Sequence, residues 1–204
     1  MGLLWGKMAS FLLVFKLVFL PGQLAVPPEY VPPDPPAAWR QTAPAPGFPG
    51  REWHRAARRH GVDPLLLYAV AIQESGRRLG PERLAPWPHT LHFNGSGVSF
   101  YGKSRRETEL LLRLALPFTD NVDVGLAQVN WRAHRDKVRN PEDLLDPAVN
   151  LEVASRILAE ALASSPDPEV AVGHYNSWRP AAARAYGRRV LRLYSALREA
   201  VKEP

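Results

Sequence analysis

The chain has 204 residues, of which 46% are apolar, enough for one ordinary domain with appendages. It contains no cysteine, which excludes disulfides, iron–sulfur clusters and thiol nucleophiles. A formal charge of +6 favours polyanionic partners (nucleic acid, anionic lipid or an acidic cell-wall polymer) without choosing among them.

Residues 1–25 carry Lys7 and then a short apolar run interrupted by Lys16. The pattern predicts an export signal or an uncleaved N-terminal anchor, and it is the one segment suited to a bilayer. Residues 26–50 take a large share of the chain's 21 prolines and few large aliphatics. Such a stretch cannot bury a core, so an extended, polyproline-like tether is expected. The folded domain is therefore expected over 51–204.

Residues 51–60 read as a short basic helix broken by Gly61. Asp63-Pro64 then signals a helix start, with aspartate as N-cap and proline at the first helical position. The following LLLYAVAIQES ends at Gly76. Two runs of β-formers over 90–101 flank Asn94-Gly95 and predict a hairpin. Ser104 and Glu107 form a capping box that opens a helix stopped by Pro117. Residues 119–131 are turn-rich and then apolar, and 141–147 read as a loop. Helical periodicity returns over 147–163, a further helix over 167–178 breaks near Asn176, and Pro180 opens the last one. In that last helix Val190, Leu191, Tyr194 and Leu197 are expected inward, with arginines on the solvated face. The expected fold class is mostly α (α+β) with one small β-hairpin; alternating βαβ does not fit.

Glu74 stands out. Leu67, Val70, Ala71 and Glu74 share one helical face, so the carboxyl lies on or beside the buried stripe. Burial disfavours the ionised form, and so does the negative end of the helix dipole. A carboxyl treated this way is a candidate general acid. On periodicity alone, a solvated glutamate or one paired with Arg77 or Arg78 is the commoner outcome. Asp120, Asp123 and Asp146 are candidate second carboxylates, each of which also suits a turn or a helix start. Gly95-Ser96-Gly97 matches neither a dinucleotide fingerprint nor a nucleophile elbow, and the histidines lack metal-ligand spacing.

Four segments in order shift the balance toward chemistry. They are Asp63-Pro64 leading to Glu74-Ser75, then Gly125-Leu126-Ala127-Gln128-Val129-Asn130, then Asp146-Pro147 with Asn150, then His174-Tyr175-Asn176. Together they resemble the transglycosylase SLT domain family, the soluble-type lytic transglycosylases with a lysozyme-like fold. The resemblance spans about residues 55–180. The chain departs from the family pattern at Ala127, His174 and Ser177-Trp178, where methionine, alanine and glycine are usual. Residues 87–101 look like the insertion found in conjugation- and secretion-associated members.

The resemblance implies a peptidoglycan lytic transglycosylase that needs no metal and no cofactor. Glu74 would be its catalytic acid. Ser75, Gly125, Leu126, Gln128, Asn130, Tyr175 and Asn176 would form the substrate-binding set, with Tyr175 near Glu74. It implies peptidoglycan glycan strands as the substrate, a periplasmic location, and a type IV secretion or conjugation complex as the partner. It implies no specific nucleic acid, and membrane contact only through the N-terminal segment. Two other functions fit the same motifs: a wall-binding scaffold without chemistry, and a hydrolase similar to goose-type lysozyme. A third alternative is a basic nucleic-acid-binding helical protein in the cytoplasm.

Overall fold

The computed structural model describes residues 48–79 and 84–202, which form seven α-helices and two small antiparallel sheets. The expected export signal or anchor and all but the last residues of the proline-rich tether lie outside the described residues. No helix among the described residues is long and apolar enough to cross a membrane.

Helix α1 (Arg51–Arg59) turns Trp53, Ala56 and Ala57 inward, at helical spacing. Helix α2 (Pro64–Ser75) begins as its sequence requires. The Asp63 carboxylate accepts from the Leu65 and Leu66 N–H groups at 2.8 and 3.3 Å, and Pro64 occupies the first turn. Every residue from Leu66 to Gln73 is buried. A helix that is apolar all round can only be central, and α2 is packed between α1 and the last helix. The rings of Phe48 and Trp53 meet Tyr68 of α2 edge-on, both at 4.8 Å.

Strand β1 (Gly76–Arg78) pairs with β2 (Leu84–Pro86). The predicted hairpin forms from β3 (Thr90–Phe93) and β4 (Val98–Tyr101), in register Phe93↔Val98. Its turn is a four-residue loop in which the Phe93 carbonyl accepts from the N–H groups of Ser96 and Gly97. Gly97, at φ +68°, takes the left-handed position that glycine suits.

The expectation of one small hairpin is corrected. The turn-rich stretch after residue 119 supplies β5 (Val122–Val124) and β6 (Val129–Asn130), giving a sheet of order β4-β3-β5-β6. Strands of three and two residues are too short to display a period-2 pattern.

Helix α3 (Arg105–Ala115) starts at Ser104, whose hydroxyl accepts from the Glu107 N–H, while Glu107 reaches back to the Lys103 N–H at 2.6 Å. Helix α4 (Trp131–His134) is one turn capped by Asn130, and a 3₁₀ turn covers Pro141–Leu145. Helix α5 (Pro147–Leu162) and helix α6 (Pro168–Gly173) repeat the aspartate–proline start, with Asp146 and Asp167 as caps. Helix α7 (Pro180–Lys202) packs on α6 and α2, with Tyr186, Val190, Leu193 and Leu197 buried.

Candidate active site

The last turn of α2 opens into a cleft of about 440 Å³. Glu74 meets there Asn94 from the β3–β4 loop, Asp123 of β5, and Gln128 to Asn130 around β6. The far wall is formed by α4, α5 and residues 174–178. The structure thus brings Glu74, Gln128, Asn130, Tyr175 and Asn176 to one cleft from three separate stretches of chain.

Glu74 is half-buried, and the pKa of its carboxyl is raised from 4.5 to about 8. Desolvation is the main cause. The Tyr186 hydroxyl, donating to Glu74 Oε1 at 2.5 Å, pulls the other way. Asp123 adds a smaller upward push and Arg189 a smaller downward one. The carboxyl is therefore protonated at neutral pH yet reachable from the cleft, which is what a proton donor requires. Arg77, one of the two arginines expected to neutralise it, is exposed and holds its guanidinium over the Trp87 ring at 5.3 Å.

Tyr186 had no place in the sequence argument. It lies 112 residues from Glu74, and its only signal is a tyrosine within an apolar helical stripe, where the hydroxyl must find a partner. It is a positioning residue. In Tyr186→Phe the lowering influence is lost, so the Glu74 pKa rises further. The expected result is an alkaline limb of the pH–rate profile displaced upward, with the low-pH plateau reduced by less than about tenfold. An unmoved limb would refute the assigned role.

Several expected substrate-binding residues serve the frame instead. Ser75 is fully buried; its hydroxyl donates to the Leu126 carbonyl at 2.5 Å and accepts from the Trp87 N–H at 3.1 Å. It clamps the end of α2 to the 125–128 turn and does not line the cleft. Leu126 is buried and contributes that carbonyl. Gly125 also lies outside the cleft lining. It has φ +81°, and a Cβ there would come within 2.4 Å of Asn150 Nδ2 and 2.5 Å of the Leu144 carbonyl oxygen. The glycine is thus required by close packing inside the protein, not by the approach of a ligand.

Gln128 lines the cleft from a left-handed backbone, φ 46°. Its Nε2 donates to the carbonyls of Thr90 and Gly125 at 3.1 and 2.8 Å. These bonds hold a conformation that is costly for any residue but glycine, and they leave the amide oxygen as its offering to a ligand. Asn130 is saturated. Its Nδ2 donates to Asn121 and to Asp123 Oδ1, the latter at 2.7 Å, and its Oδ1 caps α4. It orients Asp123 and has no amide atom left over. The Tyr175 hydroxyl donates to the Ala127 carbonyl at 2.8 Å, and its ring stacks on that of Tyr186 at 6.5 Å. Burial raises its pKa well above the usual range, and Glu74 and Asp123 raise it further.

Of the three candidate second carboxylates, only Asp123 enters the cleft. Asp120 is held by Arg132 and Arg135, and Asp146 caps α5. Asp123 accepts from Asn94 and Asn130; burial raises its pKa against those two bonds. No protein-family model, curated protein or solved structure matches the chain.

Proposed function

We propose that the chain is a lysozyme-like peptidoglycan lytic transglycosylase. It would cleave the β-1,4 bond between N-acetylmuramic acid and N-acetylglucosamine and close a 1,6-anhydro ring. The observation that carries this reading is Glu74, neutral near pH 7 at a cleft that also presents Gln128, Tyr175 and Asn176.

The steps balance without water. Glu74 gives its proton to the glycosidic oxygen as the bond from that oxygen to the anomeric carbon breaks. Positive charge develops on the sugar ring. The 6-hydroxyl oxygen of the same sugar then bonds to the anomeric carbon, and its proton passes to the Glu74 carboxylate, restoring the acid. An internal nucleophile is already in place, so the entropy loss of recruiting an external one is avoided. Asp123 would stabilise the developing charge from across the cleft. The Tyr186 hydrogen bond would steady Glu74 in its ionised interval. In this reading the protein is exported, works in the periplasm, and serves a secretion or conjugation apparatus.

Asp123 favours a second reading. Glu74 and Asp123 share the cleft, and an acid with a second carboxyl that activates water is the equipment of a hydrolase. Products decide between them. Purified protein incubated with cell-wall sacculi should release non-reducing anhydro-muropeptides, and Glu74→Gln should release none above background. Asp123→Asn should lower the rate by less than about a hundredfold and leave the product unchanged. Reducing ends from the wild type, abolished in Asp123→Asn, would establish hydrolysis instead.

A further inference from the structure

Trp178 is the most exposed large apolar side chain among the described residues, at 69%, yet it lines the same cleft as Glu74. Its ring is not loose. It stacks on the His174 imidazole with centroids 4.2 Å apart and planes 22° from parallel. The imidazole is anchored in turn, with Nδ1 at 2.7 Å from the Ser164 hydroxyl. That hydroxyl donates to the Ala161 carbonyl, so His174 Nδ1–H is the donor to Ser164. One face of the indole is therefore backed by a fixed ring, and the other is bare and held at a set angle beside the cleft.

A flat aromatic face held at a fixed angle beside a cleft is a surface on which the apolar face of a ligand can stack. The rest of the cleft wall mixes polar groups, among them Asn176, Gln128 and Glu160, with apolar ones such as Val129 and Ile157. A ligand that suits both needs one apolar face and polar edges. A pyranose ring has that build: axial C–H bonds on its faces and hydroxyl and acetamido groups around its rim. We propose that the open face of Trp178, backed by His174, is a platform that stacks one sugar ring of a glycan strand. The inference rests on the glycan reading of the cleft and assigns it a binding subsite.

The test uses the full chain carrying Glu74→Gln, so that binding is measured without turnover. The probe is the β-1,4-linked hexasaccharide of N-acetylglucosamine, titrated by calorimetry. Adding Trp178→Ala should weaken binding about tenfold, whereas Trp178→Phe, which keeps a stacking face, should stay within about threefold. The exposed position predicts an unchanged melting midpoint, which serves as the folding control. Equal affinity of the Trp178→Ala protein and its parent overturns the platform, as does absence of any hexasaccharide binding. The two readings separate cleanly. Trp178-dependent binding by a protein that cleaves no sacculi keeps the platform and removes the catalytic reading. Sacculus cleavage with Trp178-independent binding does the reverse.

Discussion

Glu74→Gln is expected to lower sacculus cleavage about 10²–10⁴-fold and, in the same molecule, to raise stability at alkaline pH. The activity loss follows from removing the cleft carboxyl whose pKa is pushed up to about 8. The stability gain follows from linkage. The folded protein holds the Glu74 proton up to about pH 8, whereas the unfolded chain releases it near 4.5. Between those values the folded state binds more protons, so stability falls as pH rises through that window. Below it the carboxyl is neutral in both states and carries no penalty. Above it the full cost of a desolvated charge is present, on the order of 5 kcal/mol. Glutamine has no such charge and still offers an oxygen to the Tyr186 hydroxyl. Urea denaturation at pH 4 and pH 9 should therefore show near-equal stabilities at the lower pH and a variant more stable by a few kcal/mol at the higher. Parallel pH dependence of the two proteins would mean that Glu74 is not held neutral. Wild-type activity should decline above about pH 8, as the acid loses its proton.

That destabilised group was legible in the sequence because one helix carried the whole signal. Asp63-Pro64 fixed where α2 begins, and helical spacing then put Glu74 beside Leu67, Val70 and Ala71 near the last turn. Several helices were readable for the same local reason: α2, α5 and α6 have an aspartate–proline start and α3 a serine cap, whereas the single turn of α4, capped by Asn130, was not expected. Two things were not readable. Strand β5 draws its pairing from β3, some thirty residues away, β6 pairs in turn with β5, and both have too few residues to show alternation. The partners of Glu74 are likewise long-range. Tyr186 arrives from α7 and Asp123 from a strand that exists only because the hairpin lies next to it. In α7 the inward set also differs from the expected one: Leu193 is buried, whereas Leu191 and Tyr194, both expected inward, are half-buried.

The expected binding residues show how a motif can conceal its own division of labour. Ser75, Gly125 and Leu126 sit beside Glu74 and Gln128 in sequence, so proximity suggested a shared role. Side chains one position apart on a helix or tight turn point in different directions. Glu74 faces the cleft, and Ser75 faces the protein. The pairing still has a mechanical meaning. The Ser75 bond to the Leu126 carbonyl couples the end of α2 to the turn that presents Gln128, so acid and amide are set by one joint. A site held this way is placed by backbone rather than by flexible side chains.

Asn150 locks the other side of that joint, and Asn150→Ala should destabilise the protein more than any cleft substitution. Asn150 is fully buried in the first turn of α5. Its Nδ2 donates to the Val124 and Leu144 carbonyls at 2.8 and 2.9 Å, and its Oδ1 accepts from the Ala127 N–H at 2.9 Å. Three backbone groups from three segments thus depend on one amide. Truncation leaves all three buried without partners, at roughly 1–3 kcal/mol each, with partial relief as the turn relaxes. The expected loss is about 3–5 kcal/mol, a large part of the 5–15 kcal/mol that typically holds a domain together. Asn150→Asp should be no better, because a carboxylate would face two carbonyl oxygens with no hydrogen to donate. Protonating it restores a donor, so the aspartate variant should regain stability as pH falls and the alanine variant should not. Gln128 hangs from the turn that Asn150 secures, so sacculus cleavage should fall in both variants at temperatures where the fold survives. A loss below about 1 kcal/mol for Asn150→Ala, or identical pH responses of the two variants, would show that the turn stands without this amide.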